Sequence, residues 1–135
     1  MSGPQLASEI VIPPSPALPA HRELYYGGQW QRPRGGYAPT WNPATGGSLG
    51  DCAEANAEDV DAAVQAARAA FPAWSRMRPI ERAARMRRVA GVLREHAGEL
   101  AMLDAANCGS PVAEMVRDAM LAAAQFDFFA GLVTE

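Results

Sequence analysis

No lysine occurs anywhere in these 135 residues; all twelve basic side chains are arginine. That absence removes a Schiff base, a phosphate-loop lysine and a lysine general base from the chemistry this stretch could perform. Cysteine is nearly absent as well. Cys52 and Cys108 are too few for a disulfide framework and lack the C-x-x-C spacing of a metal site, so the expected compartment is a reducing cytoplasm. No long apolar run is present either, because Ile10-Val11-Ile12 stops at Pro13-Pro14, and neither a signal peptide nor a membrane-spanning helix is expected. The formal net charge of −3 is the wrong sign for chain-wide binding to nucleic acid or acidic lipid.

What is present divides at Thr40-Trp41-Asn42-Pro43-Ala44-Thr45-Gly46-Gly47, with strands and coil before it and mostly helix after it. Residues 1–22 hold Pro4, Pro13, Pro14, Pro16 and Pro19, and are expected to form a disordered, proline-rich tail. Residues 23–135 form the structured part. Gly27-Gly28 closes a two-residue hairpin between Leu24-Tyr25-Tyr26 and Gln29-Trp30-Gln31. Extended structure resumes at Tyr37, turns at Asn42-Pro43, and returns over Ser48–Ala53, so strands are expected within about 24–53. Such short ribbons are marginal alone and call for partners from elsewhere.

Asn56 followed by Asp59 is a variant capping box. Val60, Ala63, Val64, Ala67 and Phe71 then recur in steps of three and four, as a buried helical face requires, and Pro72 is expected to end this helix of about 57–71. Pro79 opens a second helix, with Glu81 and Arg85 placed for an i,i+4 pair of about 0.3 kcal/mol. Met86, Val89, Leu93, Ala97, Leu100 and Leu103 carry that helix over about 79–108, with Ala97-Gly98 as the point of bending or division and Gly109 as the left-handed stop. Ser110-Pro111 begins a third helix over about 111–134, facing inward through Val112, Met115, Ala119, Ala122, Phe126, Phe129 and Val133. Orphan strands, followed by helices that stay apolar to Glu135, read as the opening part of a larger domain.

The residues that invite chemistry mostly favour plainer readings. Seven arginines between Arg76 and Arg94 lie around a helix shared with Glu81 and Glu95, without interleaved aromatics for base stacking; a nucleic-acid binder is the least favoured reading. Cys108 stands at a helix C-terminus, where the dipole disfavours a thiolate. Cys52 lies near Asp51 and Glu54, and both cysteines read as packing residues. His21 and His96 have no ligand set in their local sequence, and Glu114 with Asp118 reads as a solvated i,i+4 pair beside Arg117. The Gly-Gly pairs are turn glycines, since none shows a G-x-G-x-x-G pattern.

Taken in order, Leu24-Tyr25-Tyr26-Gly27-Gly28-Gln29-Trp30, Asn42-Pro43-Ala44-Thr45-Gly46, Asp59 through Phe71, Trp74, Glu81-Arg82, Glu99-Leu100-Ala101, Asn107-Cys108-Gly109-Ser110-Pro111 and Phe128-Phe129-Ala130-Gly131 resemble the N-terminal region of aldehyde dehydrogenases. The resemblance covers about Glu23 to Gly131. It implies an α/β parent fold with a Rossmann-type cofactor domain, of which this segment is the mostly α-helical beginning with short N-terminal strands and a hairpin.

The implied activity is NAD- or NADP-dependent oxidation of an aldehyde to a carboxylic acid through a thiohemiacetal on a cysteine, in a homo-oligomer. The family's nucleophile, glutamate base, oxyanion asparagine and cofactor-holding lysine and glycines match no position here, so no catalytic or cofactor-binding residue is assigned. The resemblance also implies a monovalent-cation site using the main-chain oxygens of Thr40 and Trp41 with the side chain of Asn107. Asn107 replaces the family's usual aspartate, and a neutral amide oxygen attracts a cation less strongly. Ser110 replaces the usual lysine of Gly-Lys-Pro. The alternative is a non-catalytic interaction or oligomerisation module derived from the same family. Neither reading calls for nucleic acid or a membrane.

Overall fold

The computed structural model describes residues 16–133. Two antiparallel hairpins precede four helices. Strands β1 (Leu24–Tyr26) and β2 (Gln29–Gln31) pair with Tyr26 opposite Gln29. Gly27 and Gly28 take φ of 63° and 78°, the positive pair that a tight two-residue turn demands. Strands β3 (Tyr37–Trp41) and β4 (Ser48–Ala53) form a separate two-stranded sheet.

In that second hairpin Thr40 lies opposite Gly50 while Trp41 lies opposite Ser48, leaving Leu49 as an extra residue on β4. An extra residue bends a strand and re-aims its side chains. Leu49 is thereby the one large aliphatic side chain buried among the described residues; the other buried apolar residues are alanines and Pro33.

Helix α1 (Ala57–Arg76) starts at the expected capping box: Asp59 N–H donates to Asn56 Oδ1 at 3.0 Å, and Asn56 N–H donates to Asp59 Oδ2 at 3.1 Å. It does not stop at Pro72 but continues to Arg76. Proline removes one intrahelical donor, and this close to the helix end the loss is local. The carbonyls beyond it find other donors, since Ser75 Oγ donates to Pro72 O, and Arg82 Nη1 donates to Met77 O at 2.6 Å.

The second pattern divides at His96 into α2 (Pro79–Glu95) and α3 (Ala97–Cys108). Glu81 pairs with Arg78 rather than Arg85. Gly109, at φ 79°, closes α3, and α4 (Val112–Leu132) follows. Position 134, the expected end of the last helix, and positions 1–15 of the expected tail lie outside the described residues. Residues 16–22 have neither helix nor strand, yet they are tied to β4: Arg22 Nη1 donates to Leu49 O, and Ala53 N–H donates to Arg22 O.

The core lies where α4 packs across α2 and α3. Ala83, Ala90, Ala97, Ala101, Ala106, Ala123 and Ala130 occupy it, and their small side chains let the helix backbones approach closely. Each contributes a single methyl, about 0.8 kcal/mol, against about 1.5–3 kcal/mol for a large aliphatic or aromatic side chain.

Two expected buried faces are therefore covered only in part: Ala63 on α1 and Val112, Met115, Ala119, Ala122 and Val133 on the α4 face are half-buried. On α1 the inward residues are Asp59, with Ala62, Ala63 and Ala66 partly covered, whereas Val60, Val64 and Phe71 stand out in solvent. On α4, Phe129 is exposed and Phe126 largely so, and the contact is made by Ala123 and Ala130. Periodicity identified faces able to be buried, but Val60, Val64, Phe71 and Phe129 stay exposed among the described residues. Together the elements make a mostly helical segment with short antiparallel hairpins, as expected of part of an α/β fold.

Candidate functional site

The Thr40–Gly47 hinge is an ordered turn. Asn42 Oδ1 accepts from Ala44 N–H at 2.9 Å and from Thr45 N–H at 3.3 Å, and the main chains of Asn42, Gly46 and Gly47 close the loop. Asparagine does this because its carbonyl reaches backbone donors two and three residues on. Pro43 then seats on the corner between α3 and α4. A Cβ built on Gly109 would stand 3.0 Å from Pro43 Cγ, so Gly109 meets both a left-handed backbone and a close approach.

Two clefts lie among the hinge, β4 and α3. One, of about 400 Å³, is lined by Asn42, Thr45, Ser48, Leu49, Met102 and Val112 among others, with no charged side chain. The other, of about 380 Å³, brings together Thr40, Asn107, Asp104, Glu23, Arg22 and Cys52.

Two of the three residues expected at a cation site, Thr40 and Asn107, thus share one cleft wall; Trp41 is absent from that lining, and its side chain is exposed. Asp104 and Glu23 were not anticipated. Asp104 was within reach of sequence reasoning, being one helical turn before Asn107. Glu23 was not, because only the folded path of residues 16–23 beside β4 brings it there. The oxygens of Thr40, Asn107, Asp104 and Glu23 are donors of the type a hard cation takes. Glu23 is held below the usual carboxylate range by its own and Arg22's backbone N–H, which favours its charged form. Arg22 brings a positive charge to the same cleft, with Nε donating to Pro19 O and Nη1 to Leu49 O. Among the described residues, no group of three or more His, Cys, Asp or Glu is placed to hold a metal ion.

Asp59 is 1% exposed and joins the link between the two hairpins to α1. Its Oδ2 accepts from Arg34 N–H at 2.8 Å as well as from Asn56 N–H, while Oδ1 has no hydrogen-bond partner and lies 3.9 Å from Arg34 Nε. Burial pushes its pKa up, but the N–H groups of Arg34, Asn56 and Gly35, together with the Arg34 guanidinium, outweigh that and hold it below the ordinary value. Its sequence signature was the capping box; the link to Arg34 was not visible.

Both cysteines are free and exposed. Beside the helix end that disfavours a Cys108 thiolate, the Ser110 hydroxyl and N–H lower its pKa, with burial and Asp104 acting the other way. Cys108 Sγ also lies 4.0 Å from Met115 Sδ, and among the described residues no histidine hydrogen-bonds it. His21 stacks on Trp30 at 4.5 Å and His96 Nδ1 contacts Glu99 Oε2 at 3.0 Å; neither joins a ligand set. Glu114 pairs with Arg117 at 2.8 Å, in keeping with a solvated helix face. No described helix is long and apolar enough to cross a membrane.

Paired hairpins, an Asn-Pro hinge seated on a glycine corner and an alanine-packed helical layer mark a segment of an α/β enzyme fold, and residues 30–135 match the model of the aldehyde dehydrogenase family. The chain belongs to that family. It is 49% identical over 118 residues to aldehyde dehydrogenase tropH of Talaromyces stipitatus, covering 87% of this chain and 23% of that protein. Among solved structures, the aldehyde dehydrogenase KauB from Pseudomonas aeruginosa superimposes with a TM-score of 0.81 at 29% identity, over 87% of this chain and 24% of that one. Betaine aldehyde dehydrogenase from Staphylococcus aureus, solved in complex with NAD+, gives 0.77 at 28% identity over 83% and 23%. The chain spans about a quarter of the length of these relatives.

Proposed function

We propose that this chain serves as the N-terminal part of an NAD- or NADP-dependent aldehyde dehydrogenase and contributes scaffold rather than reacting groups. The overall reaction would be RCHO + NAD(P)+ + H2O → RCOO− + NAD(P)H + 2H+, with the nicotinamide, when bound, accepting the hydride. The observation carrying this is the family match along residues 30–135, supported by relatives named for aldehyde oxidation and one solved with NAD+. The residues here have structural roles: Asp59 locks Arg34 to α1, Gly109 receives Pro43, and the alanine faces set helix spacing.

Thr40, Trp41 and Asn107 are proposed as the cation ligands, supported by Thr40 and Asn107 sharing a cleft with two carboxylates. A homo-oligomer in a reducing cytoplasm is proposed with them. Exposed Phe71, Phe128 and Phe129 suit an assembly, and free Cys52 and Cys108 suit a reducing compartment.

Two measurements test the function. The purified 135-residue chain should form no NAD(P)H from aldehydes, and genuine turnover would refute the scaffold role. The coding DNA beyond codon 135 should continue in frame to a cysteine nucleophile and a glutamate base; a stop codon there, with co-purification of a full-length dehydrogenase, would replace the proposal by the interaction-module reading.

A further inference from the structure

The two hairpins form separate sheets, with no ladder between them among the described residues. Residues 19–23 touch both. On the first hairpin, the His21 ring stacks on Trp30 of β2, with centroids 4.5 Å apart and planes 14° from parallel. On the second, Ala53 N–H donates to Arg22 O at 3.2 Å, and Arg22 Nη1 donates to Leu49 O at 3.0 Å. The segment is braced between those ends. Arg22 Nε donates to Pro19 O at 3.1 Å, and Glu23 Oε2 accepts from Arg22 N–H at 3.0 Å while lying 3.6 Å from His21 Nδ1.

Arg22 grips β4 at its irregular point. Leu49 is the extra residue of the bulge, and an extra residue interrupts the ladder, so the backbone groups beside it take partners from side chains. Arg22 supplies the donor to Leu49 O, and Ser48 Oγ accepts from Gly50 N–H at 3.1 Å. The guanidinium lies against Gly50, which holds φ 83° and whose built Cβ would stand 3.5 Å from Arg22 Nη2. Leu18 and Leu49 line both clefts, so a movement of either changes both.

We propose that residues 19–23 are a strap coupling the two hairpins, with Arg22 as the positioning residue that maintains the β4 bulge and holds Leu49 inward. Without the Arg22 donor, Leu49 O loses its partner, and the strand regains a ladder by pairing Leu49 with Trp41 in regular register. Side chains alternate in facing along a strand, so that change re-aims Leu49 and alters both clefts at once. His21 ties the same strap to Trp30, and a displacement at the first hairpin therefore reaches the β4 bulge. The device is built from contacts within this chain and is independent of the proposed cation ligands.

The test follows the isotope-labelled 135-residue chain and its variants by NMR. Arg22→Met keeps an unbranched stem and removes the donors, whereas Arg22→Lys keeps a donor for the Leu49 carbonyl. Arg22→Met should shift the Leu49 methyl signals and bring a Leu49–Trp41 nuclear Overhauser contact across the ladder. It should also speed hydrogen exchange at Ala53 N–H about fivefold or more, although Ala53 bonds a backbone oxygen, and move the Trp30 indole signal. Arg22→Lys should return Ala53 exchange to within about twofold of the parent. His21→Ala, at the opposite end of the strap, should speed exchange at Ala53 as well. Arg68→Met, on an exposed position of α1, removes the same charge and should leave every signal in place. Far-UV circular dichroism checks folding; if Arg22→Met loses its helices, His21→Ala decides, and unchanged Ala53 exchange there refutes the strap. Unmoved Leu49 and Ala53 signals in Arg22→Met, an unmoved Trp30 signal, no rescue by lysine, or the same changes in Arg68→Met would overturn the proposal.

Discussion

Gly109→Ala tests the seating of the hinge on the helical corner. Gly109 holds φ 79°, and an alanine forced into the left-handed region costs about 1–2 kcal/mol. The new Cβ would also lie 3.0 Å from Pro43 Cγ, tighter than ordinary contact, and moving the hinge away adds about 1 kcal/mol of overpacking. The expected loss is about 2–3 kcal/mol. Gly46→Ala is the internal control: Gly46 sits in the same hinge at φ 68°, but its Cβ would point into open space, so only the backbone cost of about 1–2 kcal/mol applies. Urea unfolding followed by far-UV circular dichroism measures both, with the m-value reporting any change in the unfolded reference. A cycle with Pro43→Ala isolates the contact, because proline's effect on the unfolded chain cancels and a coupling of about 1 kcal/mol should remain. Equal losses at Gly46 and Gly109, or no coupling to Pro43, would refute the hinge-to-corner contact.

Asn56→Ala should cost about 1 kcal/mol by removing the acceptor for Asp59 N–H, and faster hydrogen exchange at the start of α1 would report it. Asp59 has a lowered pKa in the folded state, so its stabilisation is present above the ordinary aspartate value of about 3.9 and fades as pH falls through the depressed one; Asp59→Asn should remove that part of the acid slope in unfolding experiments. In a Cys52→Ser background, alkylation of Cys108 should show its midpoint below that of an ordinary thiol, and Ser110→Ala should move it up. Asn107→Asp adds a negative charge beside Thr40, Asp104 and Glu23, and should make the melting temperature rise more in potassium or sodium chloride than in choline chloride of equal ionic strength; no such difference would argue against the cation site.

Local chemistry was the legible part of the fold. The Asn56–Asp59 box, the Gly27-Gly28 turn, the Asn42 turn and the Gly109 stop each depend on contacts within a few residues, and the structure has all four. The division near Ala97-Gly98 was visible as a weak point, though it falls at His96. Pro72 misled because a proline signals the cost of one missing donor, not whether Arg82 is at hand to cap the carbonyls beyond it. For the candidate site, Thr40 and Asn107 were named from resemblance, and their common cleft is a long-range fact. Arg22 and Glu23 enter that cleft only because residues 16–23 run beside β4.

Residue identity by itself determined where backbone donors and acceptors find partners: caps, turns and left-handed stops, along with the exclusion of lysine chemistry. Tertiary structure alone decided which apolar faces meet. Helices α2, α3 and α4 meet in a core with alanines as their buried residues. Val60, Val64, Phe71 and Phe129, which the same periodicity marks as buried, were left outside it. Periodicity encodes a direction around a helix axis, whereas burial depends on what stands opposite and how near, and that is a property of the packed elements together.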